Sequence, residues 1–148
     1  METLRRTPRS TLAIATAVLI FVALLFAYVL DVTNNESGDA DWVGWLIVSV
    51  VSSLIAAALL LRFVPASESE TEPVNKPARR GLILGIVSVI TVVGFWTGLP
   101  FAFGVPALVL GAEGRARATT EGHGGEATAA LVLAGLAILV SIVFAITG

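Results

Sequence analysis

The sequence predicts an all-α, polytopic membrane helix bundle, and three observations predict it. The first is composition: of 148 residues, 56% are hydrophobic and 14% charged, with a mean hydropathy of +0.91. A soluble domain is about 45–50% apolar and about 25% charged. The second is a set of about four long apolar runs, uncharged except for Arg62 near the end of the second. Each is near or beyond the roughly 20 residues that a helix needs to cross about 30 Å of hydrocarbon. The third is that the charges gather in the short stretches between those runs.

Residues 11–30 form the first run, behind Arg5, Arg6 and Arg9. The run is too long for the core of a secretory signal and ends without a small-residue cleavage pattern, so an uncleaved signal anchor is expected. Residues 31–41 carry Asp31, Glu36, Asp39 and Asp41 among turn-forming Asn, Ser and Gly, which predicts a short acidic loop. Asn35-Glu36-Ser37 is formally a glycosylation sequon. An acidic loop accounts for it more simply.

The second run covers residues 42–64, with Arg62 near its end. Ser49, Ser53 and Ala57 recur every fourth residue and make one stripe of small side chains, which lets a neighbouring helix approach closely. Residues 65–80 hold three prolines and three glutamates and almost nothing apolar, so a flexible cytoplasmic linker is expected there. Its last residues, Lys76, Arg79 and Arg80, belong at anionic headgroups.

Residues 81–111 are uncharged, and one straight helix of that length would be about 46 Å long, too long for one span without severe tilt. Gly98 and Pro100 interrupt it, and both residues break helices. A helical hairpin follows, with arms at 81–97 and 100–111, giving five membrane segments in all. Gly81 with Gly85, and Gly94 with Gly98, are small pairs on its first arm, expected to pack within the chain rather than to drive dimerisation. Residues 112–126 read as a polar, glycine-rich loop with Arg115 and Arg117, into which the short second arm can continue through Glu113 and Arg117, an i,i+4 pair of favourable order. Residues 127–147 form the last run, with Ala130, Ala134, Ala137, Ser141 and Ala145 on one face.

Charge then orients the bundle, because Lys and Arg of short loops stay on the cytoplasmic side. With five segments and a cytoplasmic N-terminus, Arg5, Arg6, Arg9, Arg79, Arg80, Arg115 and Arg117 all fall inside. Tyr28, Trp42, Trp45 and Trp96 then fall near the outer interface, where amphipathic rings are favoured. The divisions expected are a two-helix unit at 1–64, the linker at 65–80, and a hairpin plus a final helix at 81–148.

The runs at 11–30, 42–61, 82–110 and 127–147 contain no ionisable side chain. Such residues mark proton relays and ion-coupling sites in membranes, so a pump, an ion-coupled transporter or an intramembrane hydrolase is not expected. The chain has no cysteine and one histidine, His123, which excludes thiolate sites and a multi-histidine centre within it. His123 near Glu121 and Glu126 is expected to be a solvated loop residue. No cofactor, metal, catalytic residue or nucleic-acid partner is anticipated.

Gly-Leu-Ile-Leu-Gly-Ile-Val-Ser at 81–88, Val-Pro-Ala-Leu-Val-Leu-Gly-Ala-Glu-Gly-Arg-Ala-Arg at 105–117 and Gly-Gly-Glu-Ala-Thr-Ala-Ala-Leu-Val-Leu-Ala-Gly at 124–135 form a pattern. It resembles the DUF4190-type domain of small bacterial membrane proteins, common in actinobacteria. The resemblance covers the second half of the chain. It departs at Gly125-Glu126, where Arg-Gly is usual, and at Ala134-Gly135, where Leu-Gly is usual. That family has no assigned chemistry, so the resemblance implies architecture and a bacterial source rather than an activity. The function expected is a structural or accessory membrane protein, packing with itself or with other membrane proteins in the bilayer. The alternatives are a small-solute or lipid carrier using the broken hairpin, and a regulatory protein acting through its linker.

Overall fold

The computed structural model describes residues 7–34, 42–69 and 74–147, which are helical almost throughout and contain no strand. Helix α1 (Arg9–Asn34) runs four residues beyond the first apolar run and takes in Asp31. The rest of the acidic loop, including the sequon, lies outside the described residues, as do Arg5 and Arg6. Helix α2 (Trp42–Ala58) passes through a π-helical turn (Leu59–Phe63) into the short α3 (Val64–Ser69). Pro65 explains the turn. It has no N–H for the Leu61 carbonyl, and its ring would strike that carbonyl in a regular helix. The wider turn, in which the Val64 N–H donates to the Leu59 carbonyl, relieves the clash.

Helix α4 (Lys76–Thr91) starts at Asn75, whose side chain accepts from the Ala78 N–H, with Pro77 in the first turn where proline is tolerated. A 3₁₀ stretch (Val92–Thr97), kinked at Gly94, closes the first hairpin arm. Gly98 turns the chain in a left-handed conformation (φ 71°), and α5 (Leu99–Glu121) returns antiparallel to α4. Helix α6 (Gly124–Thr147) completes the chain.

Two expectations need correction. Residues 65–80 are not linker throughout: α3 occupies one end, α4 the other, and Asn75, Pro77 and Ala78 are buried. Pro77 sits in the first turn of α4, where its missing N–H costs little, and the π-helical turn accommodates Pro65, so these prolines did not mean an unstructured stretch. Residues 112–121 are also not loop: the second hairpin arm continues through them, as the spacing of Glu113 and Arg117 allowed. It continues to Glu121 because Ala112, Glu113, Arg115, Ala116, Arg117 and Ala118 are good helix formers and Glu113 pairs with Arg117 at 2.9 Å. Only Gly122 and His123, both at positive φ, separate α5 from α6.

Four stretches are long and apolar enough to cross a membrane: Arg9–Val29, Trp42–Ser69, Lys76–Thr97 and Gly124–Thr147. They carry broad exposed faces of Ile, Leu and Val, and so the chain is a multi-pass integral membrane protein in contact with lipid. Helix α5 differs. It exposes no large apolar side chain, and α4, α6, α1 and α2 pack around it. The core is two clusters strung along it, one with Leu60, Val64, Leu84 and Leu110, the other with Ile20, Leu24, Ala56 and Phe101. The ring around α5 is open on one side, because the bodies of α2 and α4 do not come together.

Candidate functional site

Two places concentrate the polar groups of the described residues: one end of the bundle, and the tip of the hairpin. At the first, the start of α1, the end of α3, the start of α4, the end of α5 and the start of α6 meet. Arg9 pairs with the Glu68 carboxylate. Arg117 donates to the Glu68 carbonyl at 2.6 Å and to Glu113. Arg80 donates to the Ser67 hydroxyl at 3.0 Å and lies 5.5 Å over the Phe63 ring. Arg115 donates to the Thr128 hydroxyl at 3.0 Å.

Asn75 is a fully buried member of this layer. Its amide donates to the Gly114 carbonyl at 2.7 Å and the Gly122 carbonyl at 3.0 Å, while its oxygen caps α4. One side chain therefore fixes the start of one helix and the last turns of another. Sequence reasoning passed over Asn75 as part of a linker. The one available signal was an Asn two residues before a Pro that precedes an apolar run, a helix-start pattern.

At the other end, the hairpin is closed by hydroxyls. The Ser88 hydroxyl donates to the Pro100 carbonyl at 2.8 Å, and Ser52 donates to the Thr97 carbonyl. The Thr97 hydroxyl donates to the Gly94 carbonyl at 2.6 Å. Irregular backbone at membrane depth must find such partners, since lipid offers none. Ser52 and Ser88 were not singled out in the sequence, where nothing distinguishes them from the other serines.

The small residues fall into place around α5. A Cβ on Gly81 would lie 3.0 Å from the Gly111 nitrogen, and one on Gly85 would lie 3.2 Å from the Ala130 carbonyl. That pair thus packs against two different helices of its own chain. Gly98 has two reasons to be glycine: its φ, and Ile20 at 2.9 Å from where a Cβ would stand. Gly94 does not serve helix packing, because a Cβ there would meet only Thr97 of its own turn. The tightest approach is one the stripes did not include: a Cβ on Gly114 would stand 2.6 Å from the Ala78 backbone.

On α6, Ala130, Ala134, Ala137 and Ser141 are buried. On α2, Ser49 is buried, and Ala57 packs against the first core cluster. The hydroxyls of Ser49, Ser53 and Ser141 bond to no other group and act here as small side chains. His123 is exposed, with its Nδ1 3.4 Å from the Glu121 carbonyl. No cluster of three metal-ligating side chains occurs among the described residues.

Trp45 packs against Phe21 and Tyr28, with ring centroids 6.0 Å and 5.9 Å away. Trp42 and Trp96 are exposed. All three tryptophans lie toward the end opposite the arginine layer. No family model matches the chain, and no curated protein or solved structure matches it either.

Proposed function

We propose that this protein is a non-enzymatic accessory or structural component of the membrane, acting by contact with other membrane proteins or with copies of itself. The observation that carries this reading is the use to which its interior is put. The polar groups of the hairpin bond to one another, and the space between α4, α5 and α6 is closed by glycine and alanine at contact distance. An interior spent on holding helices together leaves the outer faces as the working surface.

The carrier reading has less support. The Gly98–Pro100 break is wedged against Ile20 and Leu24 rather than left open. The reading through a free linker is narrowed, since Ser67 and Glu68 are held by Arg80, Arg9 and Arg117. The resemblance of the second half to DUF4190-type domains agrees with the accessory reading, and α4, α5 and α6 form the closely packed unit that it covers.

The orientation we propose puts the N-terminus in the cytoplasm. It rests on Arg9, Arg79, Arg80, Arg115 and Arg117 gathering at one end of the helices, as the positive-inside rule requires. The native chain has no cysteine, so Thr119→Cys reports sidedness directly. Labelling from the cytoplasmic face alone is expected, and labelling from outside alone would invert the orientation. The functional reading is tested by purification from native membranes in a mild detergent. A stoichiometric membrane partner or a stable homo-oligomer is expected, and a monomer that brings down nothing would overturn the proposal.

A further inference from the structure

The opening in the ring around α5 is a groove that faces the bilayer. The bodies of α2 and α4 stay apart, but α3 meets α4 at the arginine layer and Ser52 holds Thr97 at the hairpin tip, so the groove is closed at both ends. Its floor is the face of α5 that carries Phe103, which is part-buried and lies two turns from Leu110 on the side turned toward Leu60 and Val64. Leu59, the first residue of the π-helical turn and on the line of positions from Ser52 to Phe63, forms one wall. Ile83 and Val87 of α4, below Arg80, form the other.

Two guanidiniums stand at the arginine end of this groove. Arg80 lies over Phe63, and the two residues belong to antiparallel segments. The preceding residue on each, Arg79 and Arg62, is turned about 100° from that contact. On antiparallel right-handed helices, that rotation carries both to the same side of the seam, away from α5. Both side chains are exposed. Arg9, Arg80, Arg115 and Arg117 are each engaged by groups of this chain, whereas Arg62 and Arg79 have no partner among the described residues. Arg62 stands about 9 Å back along its helix from Glu68, at six residues and about 1.5 Å each. Its side chain must therefore extend to the headgroup level.

We propose that the groove binds one anionic phospholipid. Its headgroup phosphate lies between Arg62 and Arg79, and an acyl chain runs along the groove over Phe103. Charge complementarity selects this occupant. Two positive forks stand above an apolar channel, guanidinium suits phosphate geometry, and the Glu68 carboxylate at the end of α3 is taken by Arg9. This proposal goes beyond the accessory role and does not depend on it.

Native mass spectrometry of the full chain in mild detergent, with equimolar phosphatidylglycerol and phosphatidylcholine, tests it. Preferential retention of phosphatidylglycerol is expected. Arg62→Gln or Arg79→Gln should weaken it about fivefold, and the double variant about 30-fold. These side chains hold nothing else in place, so the variants fold. Arg115→Gln, at the same end but bonded to α6, should leave retention unchanged. Three results would overturn the proposal: undiminished retention by the double variant, an equal loss in Arg115→Gln, which would assign binding to the overall charge of that end, or displacement of the lipid by glycerol phosphate, which would assign the arginines to a soluble phosphate.

Discussion

Helices α5 and α6 are neighbours of nearly equal length, 23 and 24 residues, and they divide their side chains in opposite ways. Helix α6 turns Val132, Leu136, Leu139, Val143 and Ile146 outward and buries alanines and a serine. Helix α5 exposes nothing from Leu99 to Gly114, and what it buries there is two prolines, three glycines, three alanines and three larger residues. In lipid, an apolar side chain gains little by leaving the surface, so size rather than hydrophobicity decides which face goes inward. The helix at the centre is therefore the less apolar of the two. Hydropathy in this chain reports contact with lipid, not depth within the protein.

The sharpest way to break that contrast is to enlarge a small residue on each side of it. Gly114→Leu would drive a side chain into the Ala78 backbone, where even a Cβ would stand at 2.6 Å. A loss of about 3 kcal/mol or more is expected, since neither backbone can yield. Thermal unfolding in detergent would register it as aggregation or a large fall in midpoint. Asn75→Ala removes the amide that holds the Gly114 and Gly122 carbonyls and the cap on α4. A loss of about 2–3 kcal/mol is expected, with faster proteolysis between α3 and α4 as a second readout.

Ser88→Ala should cost about 1 kcal/mol, the scale of one buried hydrogen bond between helices in a membrane, because the Pro100 carbonyl is left without its donor. A change indistinguishable from zero would mean that the hairpin is held by packing alone. Gly135→Ala sharpens the comparison from the other side. No atom lies within 4 Å of where its Cβ would stand. A gain of about 0.5 kcal/mol from reduced backbone freedom is expected in the same unfolding assay. A marked loss would place a partner helix against that face.

What the sequence made legible follows the same line. The break at Gly98 and Pro100 could be read, because left-handed backbone and a missing N–H are local properties of those residues. The alanine face of α6 could be read, because a helical repeat is local too. The cross-links made by Asn75 could not, since its two carbonyl partners lie 39 and 47 residues away. Nor could the serines that brace the hairpin, since Ser52 and Ser49 differ only in what stands opposite them. Gly94 was grouped with Gly98 by spacing, but the 3₁₀ kink between them removed the shared helical face that spacing assumes. The π-helical turn was equally hidden, although the cause, Pro65, was in view.

The composition of α5 also bears on how the protein enters the membrane at all. It is the one long helix of the described residues that does not qualify as a span by its own length and composition. A segment is released sideways from the translocation channel when its summed transfer energy is favourable, and glycine, proline and four charged residues near its end weaken that sum. Helix α5 must therefore partition together with α4, its turn already formed at Gly98, or wait in the channel until α6 has been made. The segment that organises the finished bundle is thus the one whose biogenesis depends on its neighbours, and a chain stopped before α6 should leave it on the wrong side of the bilayer.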